Sequence, residues 1–218
     1  MQTMAARDAY ELWAETYPPY AHNPLMTAEQ DVVTRRLSTI RATTALDIGT
    51  GSGRCVPLLE GTGATLVVGA DLSIGMLRRN ESRHRVCADA NQLPLPSGAF
   101  DLVNASLIAG DIADLGPWID ELARVLMPAG HLIYSDFHPA WDHHGWQRTF
   151  RTADGDERAL PRASHQLEDH FAALERAGLD VLAAEEVSVP RGRTSLWQGW
   201  RRHSEVVAIV FHARKAVR

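Results

Sequence analysis

The segment that most constrains the fold is a glycine-rich turn that directly follows a short apolar run. The run Ala45–Ile48 contains a carboxylate, Asp47, and glycines then occupy positions 49, 51 and 53, alternating with small polar residues. A second apolar run, Leu66–Ala70, leads to another carboxylate, Asp71. A parallel α/β sheet builds a nucleoside pocket in this way, because glycines let the backbone approach the ligand and a carboxylate at the next strand end accepts the ribose hydroxyls.

The glycine spacing distinguishes between two kinds of nucleoside cofactor. Dinucleotide-binding folds use the pattern Gly-x-Gly-x-x-Gly, in which the third glycine packs a helix against a strand beside the pyrophosphate. Here the glycines fall at every second position, and Arg54 occupies the place of that third glycine. The turn therefore predicts a nucleoside cofactor without phosphates.

The rest of the chain alternates strand-like apolar runs with helical patterns at short spacing. Such alternation predicts a Rossmann-like, doubly wound α/β fold with a seven-stranded, mostly parallel sheet. No helix is predicted between the last two strands, so we expect one of them to run antiparallel at the sheet edge. The predicted strands are 44–48, 66–70, 85–88, 100–105, 131–136, 179–189 and 205–212, and the longer predicted helices are 4–16, 28–40, 116–126 and 167–177.

The length of 218 residues suits a single domain, residues 1–218. Within it we expect an N-terminal helical segment at 1–40, a cofactor-binding core at 41–136 and two long connections at 137–164 and 190–203. These connections contain four of the six tryptophans. Disordered segments rarely carry so much aromatic surface, so we expect both connections to form ordered walls of a substrate pocket.

Composition excludes several classes of protein. A net charge of −5 and a pI near 6.0 argue against a nucleic-acid-binding protein, which normally carries a basic excess. No apolar run approaches the roughly 18 residues of a membrane span, and the N-terminus lacks the apolar segment of a signal peptide, so we expect a cytoplasmic protein. We expect the two cysteines, Cys55 and Cys87, to be small buried residues in a reducing compartment.

The segment from about Leu46 to Asp136 resembles the class I S-adenosylmethionine-dependent methyltransferases, whose first motif reads acidic-x-Gly-x-Gly-x-Gly. Phe100–Val103 and Leu126–Gly130 are similar to that family's fourth strand and to the turn before its fifth strand. The resemblance implies S-adenosylmethionine as the cofactor, with the glycines under its methionine part and Asp71 on its ribose hydroxyls. The cofactor-binding residues that it implies are Tyr17, Asp47, Gly49, Gly51, Gly53, Asp71, Leu72, Met76, Asp89, Ala90, Asn104 and Ser106.

The stretch Tyr10–Tyr17 resembles the Tyr-x-x-Trp-Ala-x-x-Tyr segment of small-molecule members, the type 11 group. Tyr10, Trp13 and Tyr17 fall at helical spacings of three and four, on one face. That face either packs on the domain or closes as a lid over the sulfonium, since an aromatic face attracts a cation. The two roles are compatible.

The resemblance implies methyl transfer to oxygen, nitrogen or carbon of a small molecule, such as a biosynthetic intermediate. Histidine is the natural proton acceptor near neutral pH. His138, which follows the predicted fifth strand most closely, is the first candidate base, with His143 and then His144 behind it. The residues expected to bind the acceptor are Tyr10, Trp13, Trp141, Trp146 and Trp197.

Other functions remain open. The same fold could serve a non-methylating cyclase or isomerase that uses the cofactor's charge. A nucleotide-dependent oxidoreductase is disfavoured by the glycine spacing and by the lack of a Tyr-x-x-x-Lys pair. A metal site is also disfavoured, because its candidate ligands have surface-like patterns: His143, His144, His165 and His170 with Asp142 or Asp169. We expect a small-molecule acceptor as partner, with no nucleic acid, membrane or metal, and a monomer or homodimer.

Overall fold

The computed structural model describes residues 4–189 and 205–217. Their strands are β1 (Thr44–Ile48), β2 (Leu66–Asp71), β3 (His84–Cys87), β4 (Phe100–Ala105), β5 (Leu126–Phe137), β6 (Arg148–Arg151), β7 (Glu157–Leu160), β8 (Leu179–Val189) and β9 (Glu205–Lys215). Their helices are α1 (Ala6–Trp13), α2 (Pro24–Leu37), α3 (Val56–Glu60), α4 (Ile74–Arg79), α5 (Leu115–Val125), α6 (Ala140–His144) and α7 (Leu167–Arg176), with a 3-10 turn at Ala109–Asp111.

Seven strands form one sheet in the order β3-β2-β1-β4-β5-β9-β8. The first five are mutually parallel, and β9 runs antiparallel to both of its neighbours. The predicted Rossmann-like, mostly parallel sheet with an antiparallel strand at one edge is therefore confirmed. In detail, β9 pairs with both β5 and β8 and therefore lies between them, so that β8 is the outermost strand.

The predicted strand bounds hold best where a strand is bordered by clear turn signals. β1, β4 and β8 have the predicted bounds, whereas β5 begins five residues earlier than predicted, at Leu126 instead of 131. Leu126 still pairs with Phe100 across a register shift, so the strand continues through the predicted turn.

The two N-terminal helices differ from the predicted 4–16 and 28–40. Helix α1 is shorter, since residues 14–16 form a turn before the prolines at 18 and 19. Helix α2 starts four residues before the predicted position because Asn23 caps it, accepting the Met26 N–H at 2.9 Å, and Pro24 fits the first helical position.

Helices cover both faces of the sheet and bury an apolar core on each. Helices α5 and α7 supply Trp118, Leu122 and Leu174 to one face. Helices α2 and α3 supply Val33 and Leu59 to the other. Each fully buried side chain of this size contributes about 1.5–3 kcal/mol, so the two cores hold the strand ends in fixed register.

The connection 137–164 is an ordered insertion rather than a loop. It contains α6 and an antiparallel hairpin, β6–β7. Helix α1 packs on this hairpin, where Ala9, Phe150 and Leu160 form a small buried cluster. Together α1 and the hairpin cover the carboxyl ends of the parallel strands. The second predicted wall, 190–203, lies outside the described residues.

Two expectations from composition can be compared with the structure. Cys55 is buried as expected, but Cys87 is exposed, because it belongs to β3 at the open edge of the sheet. Within residues 4–189 and 205–217, no helix has both the length and the apolar character needed to cross a membrane.

Candidate active site

A cavity of about 380 Å³ lies at the carboxyl ends of β1, β2 and β4. Its volume is within the range of small-molecule sites, roughly 300–1,000 Å³. The glycine-rich turn and the ends of the parallel strands form one side, which we call the cofactor side. Helix α1, the β6–β7 hairpin and the segments after β4 and β5 form the other, which we call the acceptor side.

The glycine-rich turn exposes its backbone to the cavity. Gly49 and Gly51 both adopt positive φ angles, 64° and 53°, which favour glycine. A Cβ on Gly49 would lie 2.8 Å from the Ile108 side chain, so a larger residue does not fit there. A Cβ on Gly51 would meet nothing nearer than 4.0 Å and would project into the open space that a ligand needs.

Asp71 joins the glycine-rich turn to the end of β2. One carboxylate oxygen accepts the Gly51 N–H and the other accepts the Ser73 N–H, each at 2.8 Å. Burial raises the pKa of Asp71, and these hydrogen bonds oppose that rise. Each oxygen keeps a further lone pair, so the fixed carboxylate can accept hydroxyl groups of a ligand.

Asp47 is buried beneath the turn and is held by two side chains. The Thr50 hydroxyl donates to one carboxylate oxygen at 2.7 Å, and the Asn104 amide donates to the other at 2.8 Å. Burial raises the pKa of Asp47 to about 6. Asn104 therefore acts by holding Asp47 and does not itself line the cavity.

A buried ion pair supports the turn from behind. The Arg54 guanidinium, which lines the cavity, lies 3.1 Å from the Glu29 carboxylate on α2. The other oxygen of Glu29 accepts the Ser135 hydroxyl at 2.7 Å. The attraction of Glu29 contributes to the raised pKa of Arg54, despite burial. Sequence reasoning missed Glu29, because it lies within an ordinary helical pattern.

The aromatic face of the N-terminal segment both packs on the domain and lines the cavity. The Trp13 ring stacks on Phe150 of the hairpin, with centroids 5.2 Å apart, and meets Tyr17 edge-on at 4.7 Å. Glu11 fastens the same helix to the start of α4, where it accepts the Ser73 hydroxyl at 2.7 Å and the Gly75 N–H at 3.0 Å. Sequence reasoning missed Glu11, although it lies inside the Tyr10–Tyr17 motif.

On the acceptor side, the predicted residue Tyr10 contacts two polar residues that the sequence reasoning did not select, Asp111 and Arg148. The Tyr10 hydroxyl donates to Asp111 at 2.9 Å, and Arg148 forms an ion pair with the same carboxylate. The Arg148 guanidinium also lies 5.1 Å from the centre of the Phe137 ring. Asp111 lies in the 3-10 turn and Arg148 in the hairpin, and no local motif marks either of them.

Most of the predicted site residues meet at this cavity. Those that line it are Tyr10, Trp13, Tyr17, Asp47, Gly49, Gly51, Asp71, Leu72, Met76, Asp89, Ala90, Ser106 and Trp141. Those that lie elsewhere in the described residues are Gly53, Asn104, His138, His143 and Trp146. Trp197 lies outside the described residues.

The structure does not bring the candidate bases to the cavity. Helix α6 begins two residues after His138, whose Nδ1 accepts the Ala140 N–H at 3.2 Å while Nε2 lies 3.4 Å from Glu186. His143 is exposed on α6, and His144 stacks on Trp146. The described residues contain no group of three or more histidine, cysteine or acidic side chains placed to hold a metal ion. The polar side chains that line the cavity include carboxylates, hydroxyls, amides and arginines instead.

Residues 46–134 match a family model described as a methyltransferase domain. This segment runs from β1 into β5 and includes the glycine-rich turn, Asp71 and Asp89. By this match, residues 46–134 belong to the methyltransferase domain family of the type 11 group. The resemblance noted in the sequence is thus confirmed for the part of the chain that forms the cofactor side of the cavity.

The methyltransferase domain is similar to two curated relatives over part of their length. It is 34% identical over 122 residues to the demethylmenaquinone methyltransferase of Mycolicibacterium gilvum, covering 53% of this chain and 53% of that protein. It is 31% identical over 149 residues to the malonyl-[acyl-carrier protein] O-methyltransferase of Pseudescherichia vulneris, covering 63% of this chain and 58% of the relative. The chain thus spans a little over half the length of these relatives.

Solved structures share the fold of the methyltransferase domain. The N-methyltransferase NodS of Bradyrhizobium japonicum, solved with S-adenosyl-L-homocysteine, superposes with a TM-score of 0.69 at 16% identity, over 97% of this chain and 99% of that one. At this identity the likeness concerns the fold and carries no residue role.

Proposed function

We propose that this protein is an S-adenosylmethionine-dependent methyltransferase that acts on an oxygen, nitrogen or carbon atom of a small molecule. The observation that carries the proposal is the joining of the glycine-rich turn to the Asp71 carboxylate inside a cavity of about 380 Å³. The match to the methyltransferase domain family supports the same activity.

The residues of the cofactor side fit S-adenosylmethionine. Asp71 would accept the ribose hydroxyls, and the exposed backbone of Gly49 and Gly51 would lie under the methionine part. Leu72, Met76 and Ala90 offer an apolar slot for the adenine, beside Asp89. When bound, the cofactor supplies a methyl group on a positively charged sulfur, and the carboxylates of Asp47 and Asp71 complement a cationic ligand.

The protein's own contribution to methyl transfer is to position the reactants and exclude water. Helix α1 and the hairpin cover the cavity, and Trp13 and Tyr17 place aromatic faces on its wall. A transfer between two correctly placed groups needs little covalent help, because fixing their geometry removes much of the entropic barrier. We propose that α1 acts as a lid, held closed by Glu11.

A small-molecule acceptor fits the cavity volume and is consistent with the name of the first relative, a demethylmenaquinone methyltransferase. The proposal covers methylation at an oxygen, a nitrogen or a carbon atom of the acceptor. We also propose that the protein is located in the cytoplasm and that it is a monomer or a homodimer.

Titration calorimetry with S-adenosylhomocysteine tests the proposal. We expect the wild-type chain to bind this compound and Asp71→Asn to bind it about 10- to 100-fold more weakly, since a hydrogen bond to a charged group contributes about 1.5–3 kcal/mol. Asp101→Asn is the matched control. Asp101 also accepts two backbone N–H groups, from Thr43 and Thr44 at 2.8 Å, but it does not line the cavity.

Two outcomes would contradict the proposal. One is that the wild-type chain does not bind S-adenosylhomocysteine. The other is that Asp71→Asn and Asp101→Asn bind it equally well. If the cofactor binds but its labelled methyl group is never transferred to any acceptor, the non-methylating alternative of the same fold is the better description.

A further inference from the structure

Three residues form a polar cluster on the acceptor side, and each lines the cavity: Tyr10, Asp111 and Arg148. The Tyr10 hydroxyl donates to Asp111 Oδ2 at 2.9 Å. Arg148 donates from Nη1 to the same oxygen at 3.3 Å and from Nη2 to the other carboxylate oxygen. Arg148 is 7% exposed, so this is a largely buried ion pair. We call these residues the acceptor-side cluster.

The acceptor-side cluster is electrically neutral. Asp111 balances the charge of Arg148, and burial raises the pKa of Tyr10 well above its usual value, so its hydroxyl stays protonated. The other buried arginine of the cavity, Arg54, is balanced by Glu29. Arg7 also lines the cavity but is exposed. In the described part of the chain, the buried acceptor side therefore has no uncompensated charge.

The cluster nevertheless has unused hydrogen-bonding capacity. The Nε–H of Arg148 is buried and has no partner among the described residues. A buried donor without a partner is unfavourable, and a ligand oxygen that this donor reached would restore the missing hydrogen bond. The surrounding walls are apolar and largely aromatic, formed by Trp13, Phe137 and Leu160.

We propose that the acceptor-side cluster binds the polar end of the methyl acceptor, and that this acceptor is an uncharged, flat, apolar molecule carrying a hydroxyl or carbonyl oxygen. The inference rests on the proposed function and deepens it. A hydroxyl hydrogen of the acceptor would bond to Asp111, and the acceptor oxygen would accept the Arg148 Nε–H once the side chain turns this solvent-closed donor toward the cavity. A carboxylate on the acceptor is disfavoured, because Asp111 already neutralises the charge of Arg148 and would repel a second anion.

Binding of two probes that differ by one carboxylate tests the proposal. The probes are 2-naphthol and 3-hydroxy-2-naphthoate, titrated at pH 7 into the full chain, with and without S-adenosylhomocysteine. We expect the wild-type chain to prefer 2-naphthol by about tenfold or more. Asp111→Asn leaves the Arg148 charge unbalanced, so its preference should change to the naphthoate. Arg148→Gln should not gain affinity for the naphthoate.

Matched variants separate charge selection from general damage. Asp156→Asn removes an ion pair with Arg158 on the same hairpin, but neither residue lines the cavity, so probe preference should stay as in the wild type. The double variant Asp111→Asn/Arg148→Gln restores neutrality and should again prefer 2-naphthol. A loss of structure alone cannot reverse a preference in one variant and restore it in another.

Several results would overturn the proposal. They are a wild-type preference for the naphthoate, no binding of either probe, or an unchanged preference in Asp111→Asn. S-adenosylhomocysteine binding, measured on the same samples, keeps this proposal distinct from the proposed function. If that compound fails to bind while the probes behave as expected, the methyltransferase proposal is wrong and the cluster still selects neutral ligands.

Discussion

Replacing Glu29 by glutamine should destabilise the protein strongly, although the change only replaces one carboxylate oxygen by an amide nitrogen. Glu29 is fully buried, and its carboxylate lies 3.1 Å from Arg54, whose side chain is 9% exposed. The variant keeps the shape of the side chain but removes the counter-charge that is hydrogen-bonded to the Arg54 guanidinium in the interior. Breaking a buried ion pair in this way costs about 3–5 kcal/mol.

Urea denaturation followed by tryptophan fluorescence measures this loss. At an unchanged slope, the free energy of unfolding should fall by about 3–5 kcal/mol, and the melting temperature by about 6–20 °C for a chain of this length. Glu185→Gln is the matched control, because Glu185 contacts both Arg35 and Arg36 but is 31% exposed. It should lose no more than about 1 kcal/mol.

The double variant Glu29→Gln/Arg54→Met separates the unpaired charge from loss of packing. If the penalty in Glu29→Gln arises from the charge left on Arg54, removing that charge should recover part of it, and the double variant should be more stable than Glu29→Gln. A loss below about 1 kcal/mol in Glu29→Gln, or no recovery in the double variant, would refute this reasoning. Binding of S-adenosylhomocysteine should weaken in Glu29→Gln, because Arg54 directly follows the glycine-rich turn.

Two further predictions concern Asp47 and Trp13. Burial raises the pKa of Asp47 to about 6, so the folded state holds this proton more tightly than the unfolded chain does. The contribution of Asp47 to the free energy of unfolding should therefore increase as the pH falls from about 6 to about 4, by about 3 kcal/mol in total. Urea denaturation across this range should show that contribution in the wild type and not in Asp47→Asn, and equal pH slopes would contradict it. Trp13→Ala removes the stack on Phe150 and should weaken S-adenosylhomocysteine binding about three- to tenfold by loosening α1, as calorimetry would show. Leu12→Ala, on the exposed side of the same helix, should bind normally, and equal affinities in the two variants would argue against a lid.

The cofactor side of the cavity could be predicted from the sequence because its signals are local. Each parallel strand has a polar residue at its end or within two positions of it, and the fold brings those ends to one edge of the sheet. Asp47 and Asp71 are examples, since each lies within or directly after an apolar run and both line the cavity. The alternating glycines add a second local signal, because they allow the positive φ angles that this turn adopts at positions 49, 51 and 53. No long-range contact had to be known to place these residues together.

The candidate histidines show where composition misleads. A cluster of three histidines and two tryptophans after the fifth strand suggested an acceptor site with a base. In the structure, a short helix begins at Ala140, and the side chains of this segment point in different directions. Trp141 lines the cavity, whereas His138 lies near Glu186 and His143 is exposed. The direction of each side chain depends on the helix that follows β5, and no pattern in the sequence indicated so short a helix.

Asp111 and Arg148 on the acceptor side could not be predicted, because they come together with Tyr10 only through long-range packing. Tyr10 and Asp111 are 101 positions apart, and Asp111 and Arg148 are 37 apart. The contact between them depends on α1 docking on a hairpin inserted after β5, outside the segment that matches the family. Changes confined to that hairpin can therefore alter which acceptor is bound while Asp71 and the glycine-rich turn stay the same. This separation explains why the family match indicates the cofactor, whereas the acceptor has to be inferred from the charge balance of Asp111 and Arg148.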